Sequence, residues 1–402
     1  MASSRVVVTC AATVLSVLVL FVYGRAMPAV ADRVTLLDEL AELFETRTRW
    51  LLDADVEACP TFYDCTCRTG EWALQQEQRR ISRVHGWATS RRVRLTGAEG
   101  HARVVDAGVS GDRAWASVCY NLILTYDYGQ GPASQRMGVR TIHWLELVRR
   151  GDRWLIRRDW YWDPFGSGRA SVTAAEEGIG LATRVGPSPP ETPGTAVGPP
   201  IAPRPASGIS AVTLRWQHPP GVAEGTGADG GNPEGTYNRE AAVAYADRYC
   251  GVAVPESTGR YNQRYRDFTF LGGDCTNFVS QVLADRQAGG LPADPGWSYR
   301  NGNPTLAWVQ ADAFVRHMLQ TGRVRRLHRG TIAEVDPSLG RLLPGDLIAV
   351  EEKGAIEHLM VVVGKDRQGV PLVDSHSADR YHVPWDLGGD PGTVFWLLEV
   401  VR

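Results

Sequence analysis

The stretch from Gly166 to Gly235 constrains this 402-residue chain most strongly. Its centre, between Val185 and Pro205, contains PSPPETPGTAVGPPIAPRP. Proline fixes φ and removes a backbone donor, so neither a helix nor a central strand can form across such a run. The stretch therefore reads as a disordered, partly polyproline linker, with Ala211 to Trp216 as a short apolar piece able to dock as a strand. A linker of this length splits the chain into two folding units, 33–165 and 237–402, each about the size of one domain.

The N-terminus supplies a targeting element. Met1 to Arg5 ends in a positive charge, Val6 to Tyr23 is almost wholly apolar, and Ala29-Val30-Ala31 offers small residues at alternate positions. This is the layout of a secretory signal over 1–31, cleaved after Ala31. An uncleaved membrane anchor is the alternative, because the apolar run approaches the length of a span. Either form puts the rest of the chain outside the cytoplasm, and membrane contact is expected only through that anchor. A net charge of −2 gives no basic surface for nucleic acid.

In the first unit, Leu36, Leu37, Leu40, Leu43 and Phe44 recur at helical spacing over Thr35 to Leu52. Glu71 to Trp87 reads as a second helix. Strand-like runs follow at Arg91–Leu95, Arg103–Gly108, Ala114–Tyr126, Gly138–Arg149 and Arg153–Trp160, separated by short turns. Helices followed by a strand meander make an α+β unit, and that element order resembles the NTF2-like cone. Asp159-Trp160-Tyr161-Trp162 is open to two readings, a pocket lining or packed core aromatics, and the second is favoured. Cys59, Cys65, Cys67 and Cys119 fall in this unit, and an oxidising compartment favours disulfides among them. Sequence does not give the pairing, and Cys250 is a further candidate partner.

The second unit carries the chemistry. Asn238 caps a helix reading REAAVAYADRYC. Residues 272–281 read GGDCTNFVSQ, and Phe278, Val279, Val282 and Leu283 share one helical face. Cys275 therefore stands at a helix N-terminus, where unpaired N–H groups and the macrodipole favour a thiolate. Asp274 before it suits a helix cap. Downstream, Leu347–Val350, Ile356–Gly364 and Val370–Ser375 read as strands, with His358 inside the second and His376 just after the third. A cysteine nucleophile needs a base within reach and a third group to orient that base. Neighbouring antiparallel strands can hold His358 and His376 side by side, and Asp374 rivals His376 because alternation puts the two on one face. The oxyanion hole should combine the Cys275 backbone N–H with Asn262 or Tyr265.

The string Gly272-Gly273-Asp274-Cys275-Thr276-Asn277-Phe278 resembles the amidase domain of bacterial secreted proteins. Tyr237-Asn238-Arg239, Tyr245-Ala246, Trp308, Gly345-Asp346, Glu357-His358 and His376-Ser377 extend the resemblance over about 237–390. That domain is similar to the NlpC/P60 and CHAP cysteine peptidases. The resemblance implies a papain-like fold and amide hydrolysis through a thioester on Cys275, with His358 as base and His376 orienting it. The expected partner is a peptide or peptidoglycan substrate. No metal-ligand spacing or phosphate loop occurs, and thiol–imidazole chemistry requires no cofactor or metal. The competing reading is an inactive amidase-like binding or scaffold protein of the cell envelope. A disulfide between Cys250 and Cys275, or a His358 turned away from Cys275, would favour it.

Overall fold

The structure, a computed structural model, describes residues 5–6, 27–55, 57, 59–129, 134–166, 236–390 and 392–401. The linker segment and most of the N-terminal apolar run lie outside these residues. Arg5–Val6 runs parallel beside Glu99 and Gly100. Among the described residues, no helix is long and apolar enough to cross a membrane.

The first half begins with helices α1 (Met27–Asp53) and α2 (Arg68–Arg91). Four antiparallel strands follow: β1 (Arg94–Ser110), β2 (Arg113–Asp127), β3 (Gln135–Arg150) and β4 (Arg153–Trp160). The turn Gly111, at φ 62°, and its counterpart Gly151, at φ 63°, supply the left-handed conformation that tight hairpins require. The two short strands expected at Arg91–Leu95 and Arg103–Gly108 are one long strand, β1. Gly97 and Gly100 do not interrupt it, because a bulge at Leu95/Gly97 absorbs the irregularity. Arg91 itself closes α2, which ends on Arg92 in the left-handed conformation.

The core under α1 and α2 is apolar but encloses a charged network. Arg47, 1% exposed, donates to Asp159 Oδ2 at 2.5 Å and to Tyr63 Oη at 2.7 Å, and His143 Nδ1 meets Asp159 Oδ1 at 2.9 Å. Asp159 is therefore the acceptor that holds two buried cations or donors in place. Burial in water-free surroundings is tolerated because each charge has an opposite partner. Cys65, Cys67 and Cys119 are free thiols, so the disulfides expected among them are not formed.

The second half places α3 (Arg239–Tyr249), α4 (Cys275–Ala284) and α5 (Ala311–Gln320) on one face of a strand set. The strands are β5 (Val324–Gly330), β6 (Leu347–Glu352), β7 (Ala355–Lys365), β8 (Pro371–Ser375), β9 (Asp379–Pro384) and β10 (Val394–Val400). Leu359, Val361 and Val363 of β7 pack beneath α4 and α5. The alternate residues Met360 and Val362 join a second apolar cluster on the far face.

The two halves share one sheet. Strand order runs β1-β2-β3-β9-β8-β7-β6-β10-β5, with β4 pairing the later part of β3. Gly138, Val139 and Arg140 of β3 pair with Tyr381, Arg380 and Asp379 of β9. Arg140 Nε donates to Asp379 Oδ2 at 2.6 Å across this seam, and Tyr261 Oη donates to Asp379 Oδ1 at 2.5 Å. Trp87 Nε1 and Arg91 Nε both donate to Asp386. Gly138 has no side chain because a Cβ there would lie 2.8 Å from Ile123 and Val252.

Candidate functional site

The chain enters the site through a 3₁₀ turn at Thr269–Leu271 and two glycines. Gly272 and Gly273 have φ of 115° and 112°, a region that side chains rarely adopt, so the pair is a backbone requirement. Their geometry swings the chain directly into α4, with Cys275 as its first residue. The first N–H groups of such a helix have no intrahelical partner and point toward whatever lies ahead of the helix.

Asp274 occupies the position before α4, yet its carboxylate does not cap the helix backbone. Oδ1 accepts from the Phe268 N–H at 2.8 Å and from Asn277 Nδ2 at 2.9 Å. Oδ2 meets His376 Nδ1 at 2.6 Å. The other ring nitrogen of His376, Nε2, meets the Tyr249 carbonyl at 2.7 Å. The imidazole is stacked between Tyr261, at 3.5 Å between ring centroids, and Phe278, at 4.0 Å. Burial raises the Asp274 carboxyl above its usual range, opposed by His376 and the two donors. His376 thus clamps the residue before Cys275 to α3. Both its nitrogens are occupied, so it does not orient His358 as expected from sequence.

Cys275 is buried at 7% exposure, and its thiol is free. Cys250 is also free, with its sulfur turned to the Asp247 carbonyl, so no Cys250–Cys275 bond removes the nucleophile. Burial pushes the Cys275 thiol up, while hydrogen bonds from the Leu359 N–H and Thr276 pull the other way. The lowered value expected at a helix start is overridden, because desolvation of the sulfur is the larger effect.

His358 is the neighbour of Leu359 on β7. Its register partner is Val350, and both Val350 and the in-line Met360 belong to the cluster on the face away from α4. His358 is thereby presented toward that far face, where Arg380 donates to Met360 Sδ at 2.9 Å. Burial, with Arg380 nearby, pushes the imidazole down to about 3. Its Nε2 has no hydrogen-bond partner among the described residues. The sulfur meets the strand at Leu359, one residue from His358, and among the described residues no hydrogen bond joins sulfur and imidazole. Strand β8 pairs with β7 only from Val361 onward, so the strand edge beside Leu359 is left open to Cys275.

The remaining candidates are placed elsewhere. Asn262 Nδ2 donates to Tyr245 Oη at 2.8 Å, and Tyr265 Oη donates to Asp285 Oδ2 at 2.8 Å, so both potential oxyanion donors are spent inside the helical layer. Asp374, opposite Val361, faces α3 and accepts from the His382 N–H at 2.8 Å. It has no part in orienting His358. Sequence reading missed Tyr261, which stacks on His376 and bonds Asp379. It also missed the grouping of Asp247, Asp374 and His382, whose possible ligand atoms all lie within 4.8 Å of one another. The turn between β8 and β9 brings Asp374 and His382 together, and Asp247 joins them from α3, 135 positions before His382.

Residues 236–398 match the family model described as "Putative amidase domain". The chain is similar to the uncharacterized protein YhbB of Bacillus subtilis (strain 168), at 29% identity over 157 residues. That alignment covers 37% of this chain and 44% of the relative, so the chain spans less than half the length of the curated protein it matches. Among solved structures, the intermembrane space region of chloroplast protein ARC6 aligns at 13% identity and TM-score 0.22, covering 33% of this chain and 95% of that one.

Proposed function

We propose that the second half is a cysteine amidase of papain-like type that hydrolyses an amide bond through a thioester on Cys275. The observation that carries this reading is the free thiol at the start of α4, hydrogen-bonded to the strand that presents an unpartnered imidazole. The match of residues 236–398 to an amidase family supports the reaction class.

In the resting site both groups are neutral, since burial raises the thiol and lowers the imidazole. Neutral imidazole is the form that accepts a proton. The reaction requires the imidazole on the Cys275 side of β7, and there His358 takes the thiol proton. The thiolate attacks the carbonyl carbon. The tetrahedral oxyanion is held by the first N–H groups of α4. Collapse breaks the C–N bond, and the imidazolium returns its proton to the leaving amine. Water, deprotonated by the same imidazole, then cleaves the thioester. The apolar N-terminal run supports action outside the cytoplasm, where peptide bonds of the cell wall are the proposed substrate.

The second reading is an inactive binding protein of the cell envelope. The presentation of His358 away from α4 favours it. Release of free amines from peptidoglycan fragments separates the two. Cys275→Ala should abolish release, and His358→Ala should reduce it by about 10²–10⁴-fold. Release that survives in Cys275→Ala would rule out the thioester route, and no release from the wild type would leave the binding reading standing.

A further inference from the structure

Outside the Cys275 site, the second half contains a group of side chains that the proposed reaction does not use. Asp374 on β8 is fully buried, with its Oδ1 engaged by the His382 N–H. Its other oxygen, Oδ2, is buried and accepts no hydrogen bond from a donor among the described residues, and the carboxyl of Asp247 stands within hydrogen-bond reach of Asp374. Facing it are Asp247 of α3 and His382 of β9, joined to each other by an Nε2···Oδ1 contact of 2.9 Å. The charged groups acting most strongly on Asp374 are these two, a second carboxylate and a single imidazole. Two carboxyl groups and one imidazole therefore meet around a water-excluded oxygen, a donor set that a cation would complete.

We propose that Asp247, Asp374 and His382 form a binding site for a divalent transition-metal ion, zinc or manganese. The three ligand atoms lie within 4.8 Å of one another. Donors bound to one ion at about 2.0–2.2 Å stand roughly 3–4.3 Å apart, so small side-chain movements complete the shell. Mixed carboxylate and imidazole ligands suit these ions better than magnesium or calcium, which take oxygen alone. Entry is open, because the Asp247 and His382 side chains are 23% and 29% exposed. Behind His382 lies a cavity of about 230 Å³ lined by Glu256, Tyr381, Ile123 and Arg136, where the two halves meet. The ion would tie α3 to β8 and β9, and β9 is the strand that pairs with the first half.

The test is metal content and thermal unfolding of the full chain. After incubation with ZnCl₂ or MnCl₂ and desalting, the wild type should retain about one ion more per chain than Asp374→Asn, by elemental analysis. Its Tm should rise by several degrees with the ion and fall back with EDTA. Asp374→Asn and His382→Gln should lose that shift, and comparison with them separates this site from the Cys65 and Cys67 thiols. His382→Gln, at a partly exposed position, carries the test if Asp374→Asn does not fold. Equal ion content and equal Tm shifts in wild type and variants would overturn the proposal. So would a wild type that retains no ion, in which case the two carboxylates share a proton.

Discussion

Acid should reveal the state of His358. In the unfolded chain an imidazole takes up a proton near pH 6.5, whereas the buried ring holds off until about 3. The folded value lies below the unfolded one. The stabilisation is therefore complete above about pH 6.5 and drains away as pH falls toward 3. Each pH unit inside that window costs about 1.4 kcal/mol, so a drop from 6.5 to 4.5 removes about 2.7 kcal/mol through this one residue. His358→Gln cannot take up the proton. Urea unfolding of wild type and variant, followed by tryptophan fluorescence at pH 7, 5.5 and 4.5, measures the difference. Other titrating groups are common to both chains and cancel. The expected result is a stability gap between the two that moves by about 2–3 kcal/mol in the variant's favour by pH 4.5. Parallel curves would refute the reasoning. They would mean that the imidazole takes up its proton equally in the folded and unfolded chain, whereas a gap moving in the wild type's favour would mark a ring held charged, as in a standing ion pair with the Cys275 thiolate.

Further outcomes follow from the same structure. His376→Ala leaves the buried Asp274 carboxylate without its ring partner and should cost about 3–5 kcal/mol in chemical denaturation, with a smaller loss for His376→Gln. Gly273→Ala, at φ 112°, should cost about 1–3 kcal/mol and slow Cys275 alkylation, because the strain falls on the entry to α4. Iodoacetamide should label Cys275 of the wild type slowly at pH 7 and faster as pH rises past 9, since burial keeps the thiol protonated; rapid labelling at pH 7 would contradict the burial argument. A double-mutant cycle on Arg140→Ala and Asp379→Ala should give a coupling of about 1–3 kcal/mol, and a value near zero would show that the seam does not depend on this pair.

Local pattern made much of the molecule readable from sequence. The apolar spacing of Leu36, Leu40 and Leu43 matches a buried face of α1, and Phe278, Val279, Val282 and Leu283 are buried on α4. The glycines before Cys275 sit where a positive φ is needed, and apolar runs bounded by turn residues located β6, β7 and β8. What stayed hidden depends on long-range register. Alternation could not say which face of β7 meets α4, and that choice sets where His358 points. Nor could it show that His376 turns back to Asp274, 102 positions earlier. The strands β5 and β9 escaped notice because charged residues such as Arg325, Arg326, Asp379 and Arg380 break their apolar runs, and the apolar run of β10 was passed over. Those very polar residues make the seam and edge contacts.

The shared sheet also sets a schedule for synthesis. Arg140 and its partner Asp379 are 239 positions apart. The β3 edge at Gly138–Arg140 emerges from the ribosome long before β9 exists to cover it. At about 5–20 residues per second, that edge waits roughly 12–50 seconds with its backbone donors and acceptors open. An open strand edge invites pairing with another chain. The interval between the two halves is therefore the period in which a newly made molecule is most exposed to joining the wrong partner.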